Sequence, residues 1–218
     1  MFRDRKHAGE LLAEQLTQYL GQPQTLLLAL PRGGVPVAAA LAYALALPLD
    51  IFLVHKLGAP GQPELAMGAV AAGGLVVLHQ GVIDLGEITQ ADIDSAIACE
   101  QEELLRRERA YRGSRPPLLV TGKTIILVDD GLATGYTMLA AVRSACRQQP
   151  ARIVVAVPVA SKEALDMLRP EADELVCAYT PRKLSAIGQF YDDFNQTTDD
   201  EVCEALRQFE PSDATPPA

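Results

Sequence analysis

The sequence predicts an α/β fold with a doubly wound, mainly parallel sheet, a small hairpin and a C-terminal appendage. Three observations carry the prediction. Short, continuous apolar runs recur at Thr25–Leu30, Leu49–Val54, Ile125–Val128 and Arg152–Val157. Runs of this length without polar alternation suit strands buried on both faces. Helical patterns fall between them, and this β-helix-β alternation is the signature of a parallel sheet with helices on its faces. Finally, the run at 125–128 leads into two acids, a loop of small residues and a helix start. That order builds a ligand crevice beyond the carboxyl end of a strand.

In chain order, Leu11, Leu12, Leu16, Tyr19 and Leu20 form a helical stripe over His7–Leu20 that stops at Gly21. The strand Thr25–Leu30 runs into Pro31-Arg32-Gly33-Gly34, and an Ala-rich helix follows over Val35–Leu47. A second strand, Leu49–Val54, precedes His55-Lys56-Leu57 and a Gly/Pro-rich stretch, Gly58–Gly68, which reads as a loop. Met67–His79 reads as a hairpin turning at Gly73-Gly74. Thr89 with Asp92 starts a heavily charged helix that reaches about Tyr111. Arg115-Pro116-Pro117 and Gly122-Lys123 are turns. After a helix over Tyr136–Gln149 come the strand Arg152–Val157, a short helix capped by Ser161 and running to Leu168, and a strand at Leu175–Ala178. The expected division is a core over 1–178, with a flexible loop and hairpin at about 56–79, then a polar and aromatic tail over 179–210. The tail's last helix begins near Asp199, and Pro211–Ala218 is expected to be disordered.

With 218 residues the chain can bury the core of one α/β domain. Its net charge of −9 argues against nonspecific binding to nucleic acid or acidic membranes, which need surplus Lys and Arg. The charged opening MFRDRKHAGE is not expected to be a signal peptide, and the apolar stretch Val35–Leu49 is broken by Pro36 and Pro48. Cys99, Cys146, Cys177 and Cys203 lie far apart and read as buried small apolar residues in a reducing cytosol. The expected location is cytoplasmic.

The chemistry concentrates in Thr124–Met138, TIILVDDGLATGYTM. One Asp after a strand would read as a helix cap or turn residue. Two in a row, Asp129 and Asp130, before a Gly/Thr loop read instead as acceptors for neighbouring sugar hydroxyls, and they favour Mg²⁺ nearby. The loop Gly131–Thr137 offers backbone N–H groups and the hydroxyls of Thr134 and Thr137 to an anion at a helix N-terminus. It is neither a GxxxxGK[ST] nor a GxGxxG motif, so nucleotide-hydrolase and dinucleotide readings lose their strongest support. The ligand this suggests is a phosphorylated sugar.

ILVDDGLATGYT resembles the motif with which type I phosphoribosyltransferases bind phosphoribosyl pyrophosphate (PRPP). The resemblance implies that Asp129 and Asp130 take the ribose hydroxyls, and that Gly131, Ala133, Thr134, Gly135, Tyr136 and Thr137 cradle the 5-phosphate. Pro31, Arg32, Gly33 and Gly34 stand where that family places its pyrophosphate loop, with glycines for close backbone approach and Arg32 as the cation. Lys56 stands at the base of what would be a mobile loop that closes over PRPP, and would neutralise charge on the leaving pyrophosphate. The catalytic set implied is Lys56, Arg32 and Asp130, with Mg²⁺ carried mainly by PRPP near Asp129 and Asp130 rather than by a dedicated protein site. A hood over Tyr179–Phe194 would supply the base pocket through Phe190, Tyr191 and Phe194; a small core of the tail's own is the competing reading of those rings.

More closely, the chain resembles stand-alone bacterial phosphoribosyltransferase-domain proteins through RDRKHAG (Arg3–Gly9), PRGG, KLGAPGQPE (Lys56–Glu64) and AIGQFYDDF (Ala186–Phe194). The activity implied is transfer of a 5-phosphoribosyl group to a nitrogenous base with release of pyrophosphate, in nucleotide metabolism. Ala133 stands where 6-oxopurine enzymes of the family carry an Asp, and Pro158-Val159 where they tend to carry a base-reading Lys, so hypoxanthine and guanine are disfavoured. The expected partners are small molecules rather than nucleic acid or membrane, and a homodimer is the assembly considered. The alternative function is a non-catalytic PRPP- or nucleotide-sensing regulator on the same fold. A phosphosugar hydrolase lacks a Ser/His/Asp pattern, since His7, His55 and His79 are scattered and read as structural or surface residues.

Overall fold

The computed structural model of the chain describes the backbone of residues 1–113 and 118–209. The expected turn at 115–117 and tail at 211–218 lie outside the described residues. Five strands form one parallel sheet: β1 (Thr25–Ala29), β2 (Leu49–Ile51), β6 (Thr124–Val128), β7 (Arg152–Val159) and β8 (Glu174–Tyr179), in the order β2-β1-β6-β7-β8. The intervening strands β3 (Val54–Ala59), β4 (Gln62–Ala71) and β5 (Val76–Leu78) form a separate antiparallel sheet. Both sheets match the expected α/β class.

The continuous apolar runs are explained by burial on both faces. Along β1, Leu27 and Ala29 enter one core with Leu12, Leu16, Leu41 and Val202, while Leu26 and Leu28 enter the other with Met138, Val142 and Ala164. The first core lies under helices α1 (Arg5–Ala13), α2 (Gly34–Leu45) and α7 (Asp199–Arg207); the second lies under α5 (Tyr136–Cys146) and α6 (Lys162–Leu168). Helices α1 and α2 meet at Gly9. A methyl there would come within 2.9 Å of Ala40 Cβ and closer still to the Val37 carbonyl oxygen. Gly9→Ala is therefore expected to cost about 1–3 kcal/mol by overpacking, measurable by urea denaturation.

Several boundaries differ from expectation for identifiable reasons. Helix α1 starts at Arg5 because the Asp4 carboxylate accepts the His7 N–H at 2.7 Å, and it ends at Ala13 before a short 3-10 turn at Thr17–Tyr19. The run at 49–54 splits between the two sheets. The Gly/Pro stretch after it is not an irregular loop: β3 and β4 pair across a tight turn at Pro60-Gly61, Gly61 adopts φ +71°, and the register shifts around Gly58. Gly and Pro suit a tight hairpin turn as well as irregular chain, so composition alone could not show the pairing. The turn at Gly73-Gly74 forms as expected, with φ of +85° and +82°.

A short helix, α3 (Gln80–Leu85), follows, capped by His79. The charged helix α4 (Gln90–Arg112) opens on a full Thr89–Asp92 capping box. None of the four cysteines is fully buried, contrary to expectation: Cys99 and Cys146 are exposed, and Cys177 and Cys203 half-buried. Among the described residues no helix is long and apolar enough to cross a membrane.

Candidate functional site

Strand order reverses between β1 and β6: the chain leaves β1 for one edge of the sheet and β6 for the other. Ligands of open α/β sheets bind in the crevice at such a point. The two sequence-predicted loops both begin there, since Ala29 and Val128 are register partners and the Leu30 N–H donates to the Val128 carbonyl at 2.8 Å.

Asp129 and Asp130 follow Val128. Asp129 Oδ1 accepts the Asp130 backbone N–H at 2.8 Å. Burial, and then the adjacent Asp130 charge, push the Asp129 carboxyl well above the usual range. Burial also raises the Asp130 carboxyl, opposed by the Arg5 guanidinium, whose Nε donates to Asp130 Oδ2 at 2.8 Å. Two partly desolvated carboxylates side by side are costly unless something else meets them. Hydroxyl donors or a cation would do so.

The Pro31–Gly34 loop is pressed against those acids. A Cβ on Gly33 would lie 2.7 Å from Asp130 Cγ and closer still to Oδ2; one on Gly34 would lie 2.6 Å from the Val128 carbonyl oxygen and 2.9 Å from Asp129 Cα. Only glycine fits at either position, so the loop's backbone, rather than side chains, lines this wall of the crevice. Pro31-Arg32 is a cis peptide. The Arg32 side chain does not lie over the acids: its guanidinium meets Asp199 Oδ1 at 3.4 Å, and Asp199 also accepts the Tyr111 hydroxyl at 2.6 Å and Arg106 at 3.2 Å.

On the other side of the acids, Leu132 is locked by the Val159 carbonyl and the Ser161 N–H, and the Ser161 hydroxyl donates to the Ala133 carbonyl at 2.7 Å. Ala133 and Thr134 are exposed, and Thr137 is half-buried in the first turn of α5. Gly135 holds φ +80° against Ala164 and Met167, where a side chain would collide, and among the described residues no side chain caps α5. The arrangement leaves the first-turn N–H groups and two threonine hydroxyls at the positive end of a helix, suited to a dianion. The Tyr136 ring stacks on His79, centroids 4.5 Å apart, tying this turn to the small sheet.

Lys56 lies within β3, opposite Ala69. Its neighbour His55 points to α4, with Nδ1 2.7 Å from Glu100 Oε2. Strand alternation therefore puts Lys56 on the opposite face, the one Val54 and Ala69 share with Met138 of α5. The three histidines serve local roles: His7 Nδ1 accepts the Arg3 N–H, His55 meets Glu100 and His79 caps α3.

The tail aromatics gather, but largely with the chain's opening segment. Phe2, Ala8, Val159 and Tyr191 are buried together, with Ile187, Phe190 and Phe194 packed around them. Phe2 pairs with Tyr191 as a β-bridge and by ring contact at 5.3 Å. Tyr191 donates its hydroxyl to the Asp130 carbonyl at 2.7 Å. These rings build a small core that supports the acids from behind, and Ile187 closes on Gly131, where a Cβ would lie 2.7 Å from its Cγ2.

Sequence reasoning missed three contributors: Arg5, Ser161 as a loop clamp, and the Asp199 cluster that holds Arg32. Ser161 was legible only as a helix cap. Arg5 sits inside the quoted RDRKHAG stretch, yet nothing local ties it to an acid 125 positions away.

A family model, the phosphoribosyl transferase domain, matches residues 4–180. A relative in Mycobacterium tuberculosis (strain CDC 1551 / Oshkosh), named "Putative phosphoribosyl transferase MT0597", is 42% identical over 206 residues, covering 94% of this chain and 46% of that protein. The chain thus spans about half the length of the curated relatives it matches. The crystal structure of TT1426 from Thermus thermophilus is 43% identical, with a TM-score of 0.78 over 95% of this chain and 98% of that one. AQ2163 from Aquifex aeolicus shares the fold at 14% identity, with a TM-score of 0.52 over 84% of this chain and 78% of its own. The matched span takes in the glycine loop, the acid pair and the loop before α5, and the chain belongs to the phosphoribosyl transferase domain family.

Proposed function

We propose that this protein is a phosphoribosyltransferase that uses PRPP and Mg²⁺ to transfer a 5-phosphoribosyl group to a nitrogenous base, releasing pyrophosphate. The observation that carries the reading is the packing of Gly33 and Gly34 directly against Asp130 and Asp129 at the strand-order reversal. A glycine backbone loop, a pair of hydroxyl acceptors and an open helix N-terminus thereby lie together at the ends of β1 and β6. PRPP presents diphosphate, vicinal hydroxyls and a terminal phosphate in that order.

On this reading Asp129 and Asp130 accept the ribose hydroxyls, and the 134–137 turn takes the 5-phosphate. The ribose C1–oxygen bond breaks, pyrophosphate leaves with the electron pair, and a base nitrogen bonds C1 and then releases its proton. The transition state is sugar-cation-like, so the site's main work is positioning and charge stabilisation. Among the described residues no group of three His, Cys, Asp or Glu could hold a metal. The two adjacent carboxylates still fit a cation whose other ligands are the substrate's own oxygens, where it would neutralise the leaving diphosphate. Lys56 would approach from the small sheet. Arg32 must leave Asp199 before it can contact pyrophosphate. Ala133 offers no acid or base, consistent with acceptors other than hypoxanthine and guanine. A cytoplasmic place in nucleotide metabolism, without nucleic acid as a partner, fits this chemistry and the net charge of −9.

One observation favours a sensor that binds PRPP or a nucleotide without turnover: Arg5 and Arg32 are both paired with the chain's own acids. Incubation of the protein with PRPP, Mg²⁺ and a panel of purine and pyrimidine bases, with pyrophosphate release as the readout, separates the two. The enzyme releases pyrophosphate with at least one base. Binding of PRPP with silence across the panel selects the PRPP sensor, and absence of PRPP binding removes both the enzyme and the PRPP sensor, leaving only a nucleotide sensor.

A further inference from the structure

Arg5 is the first residue of α1, and its guanidinium is fixed by three separate parts of the chain. Its Nε donates to Asp130 Oδ2 at 2.8 Å, Nη1 donates to the Asn195 carbonyl at 2.7 Å, and the group lies 3.8 Å from the centroid of the Phe194 ring. The Arg5 and Asp130 side chains are only 11% and 15% exposed. A solvent-exposed ion pair would carry little meaning. Here the pair is mostly desolvated, so it holds one geometry.

That geometry divides the Asp130 carboxylate. Oδ2 is taken by Arg5 and backed by the Gly33 backbone, whereas no hydrogen bond from another described residue reaches Oδ1. Asp129 offers the converse: its Oδ1 is used by the Asp130 N–H. The charged and titratable groups around the pair are Asp129, Arg5, the Tyr191 hydroxyl on the Asp130 carbonyl, and Glu201 of α7, which feels Arg5. Arg5 is thus the cation that lets two carboxylates stand side by side before any ligand arrives.

We propose that Arg5 is a positioning residue of the sugar site: by holding Asp130 Oδ2 it turns Oδ1 toward the ligand hydroxyl and makes the site depend on the docked Met1–Ala13 segment and the Asn195 turn. This rests on the PRPP reading above. The backbone seal is continuous with it, since the Asp192 and Asp193 N–H groups donate to the Phe2 and Arg3 carbonyls at 2.9 and 2.8 Å. Lysine could replace the charge of Arg5 but not its planar fork and ring stacking together.

The test is PRPP affinity with Mg²⁺, by calorimetry, for the wild-type chain, Arg5→Gln and Arg5→Lys, with the unfolding midpoint of each measured without ligand. The expected result is about tenfold or greater weakening in Arg5→Gln and an intermediate loss in Arg5→Lys, with KM for PRPP raised more than kcat is lowered. If Arg5→Gln does not fold, Arg5→Lys decides alone: several-fold weakening at an unchanged midpoint supports the role. Unchanged affinity in the folded variants overturns it. Tighter binding in Arg5→Gln also overturns it, because Arg5 would then be a plug that ligand must displace. No PRPP binding by the wild-type chain sinks the parent reading and this one with it, whereas wild-type binding with indifferent variants sinks this one alone.

Discussion

Replacing both Asp129 and Asp130 with Asn abolishes the rise in melting temperature that PRPP with Mg²⁺ gives the wild-type protein. A ligand present at about 100 times its Kd stabilises a one-site protein by about 2.7 kcal/mol, so the signal lost is large. Asparagine keeps the shape of each side chain but removes the charge and half the acceptor capacity. An equal shift in the double variant would overturn the site assignment. The single variants are expected to differ in the ligand-free protein. Asp129 is half-buried beside a like charge, and among the described residues it makes no ion pair, so Asp129→Asn relieves repulsion and raises the midpoint. Asp130 is paired with a mostly buried guanidinium, so Asp130→Asn strands Arg5 and lowers it. Midpoints shifted in the same direction would contradict the assigned charge balance.

Gly33→Ala is the second substitution with a large expected effect. Its methyl would overlap the Asp130 carboxylate, so either the loop or the acid must move. A displacement of about 1 Å in a positioning site costs on the order of 10²-fold in rate, and overpacking adds about 1–3 kcal/mol of instability. Pyrophosphate release and PRPP affinity should both fall. The control is Gly21→Ala: this glycine also has a positive φ, +63°, but a Cβ there has nothing within 4 Å. It should lose some stability and keep its ligand response. If Gly33→Ala retains wild-type affinity, the close approach of loop and acids is not what builds the site.

How much of this was legible in advance varies by feature. The acid pair and the two loops were, because each is encoded within a few residues: an apolar run ends, and glycine or acid follows where backbone or charge is required. The helix caps at Thr89 and Ser161 were legible for the same reason. The 58–68 stretch was misread as a loop because its Gly and Pro residues are compatible with a tight hairpin as well as with irregular chain, and pairing with β4 decides between them. The aromatic tail left two readings open, and its packing on Phe2 puts its rings chiefly in a small core.

The sequence alone determined the parallel α/β architecture and the position of the candidate site at the end of β6, since periodicity and turn chemistry are local properties. Only the tertiary structure decided how the charges pair. Arg5 meets Asp130 and Arg32 meets Asp199 across 125 and 167 positions of chain. A guanidinium has no local preference among many carboxylates. Its partner is chosen by which segments the hydrophobic core brings into register, and by the desolvation that makes one pairing worth keeping.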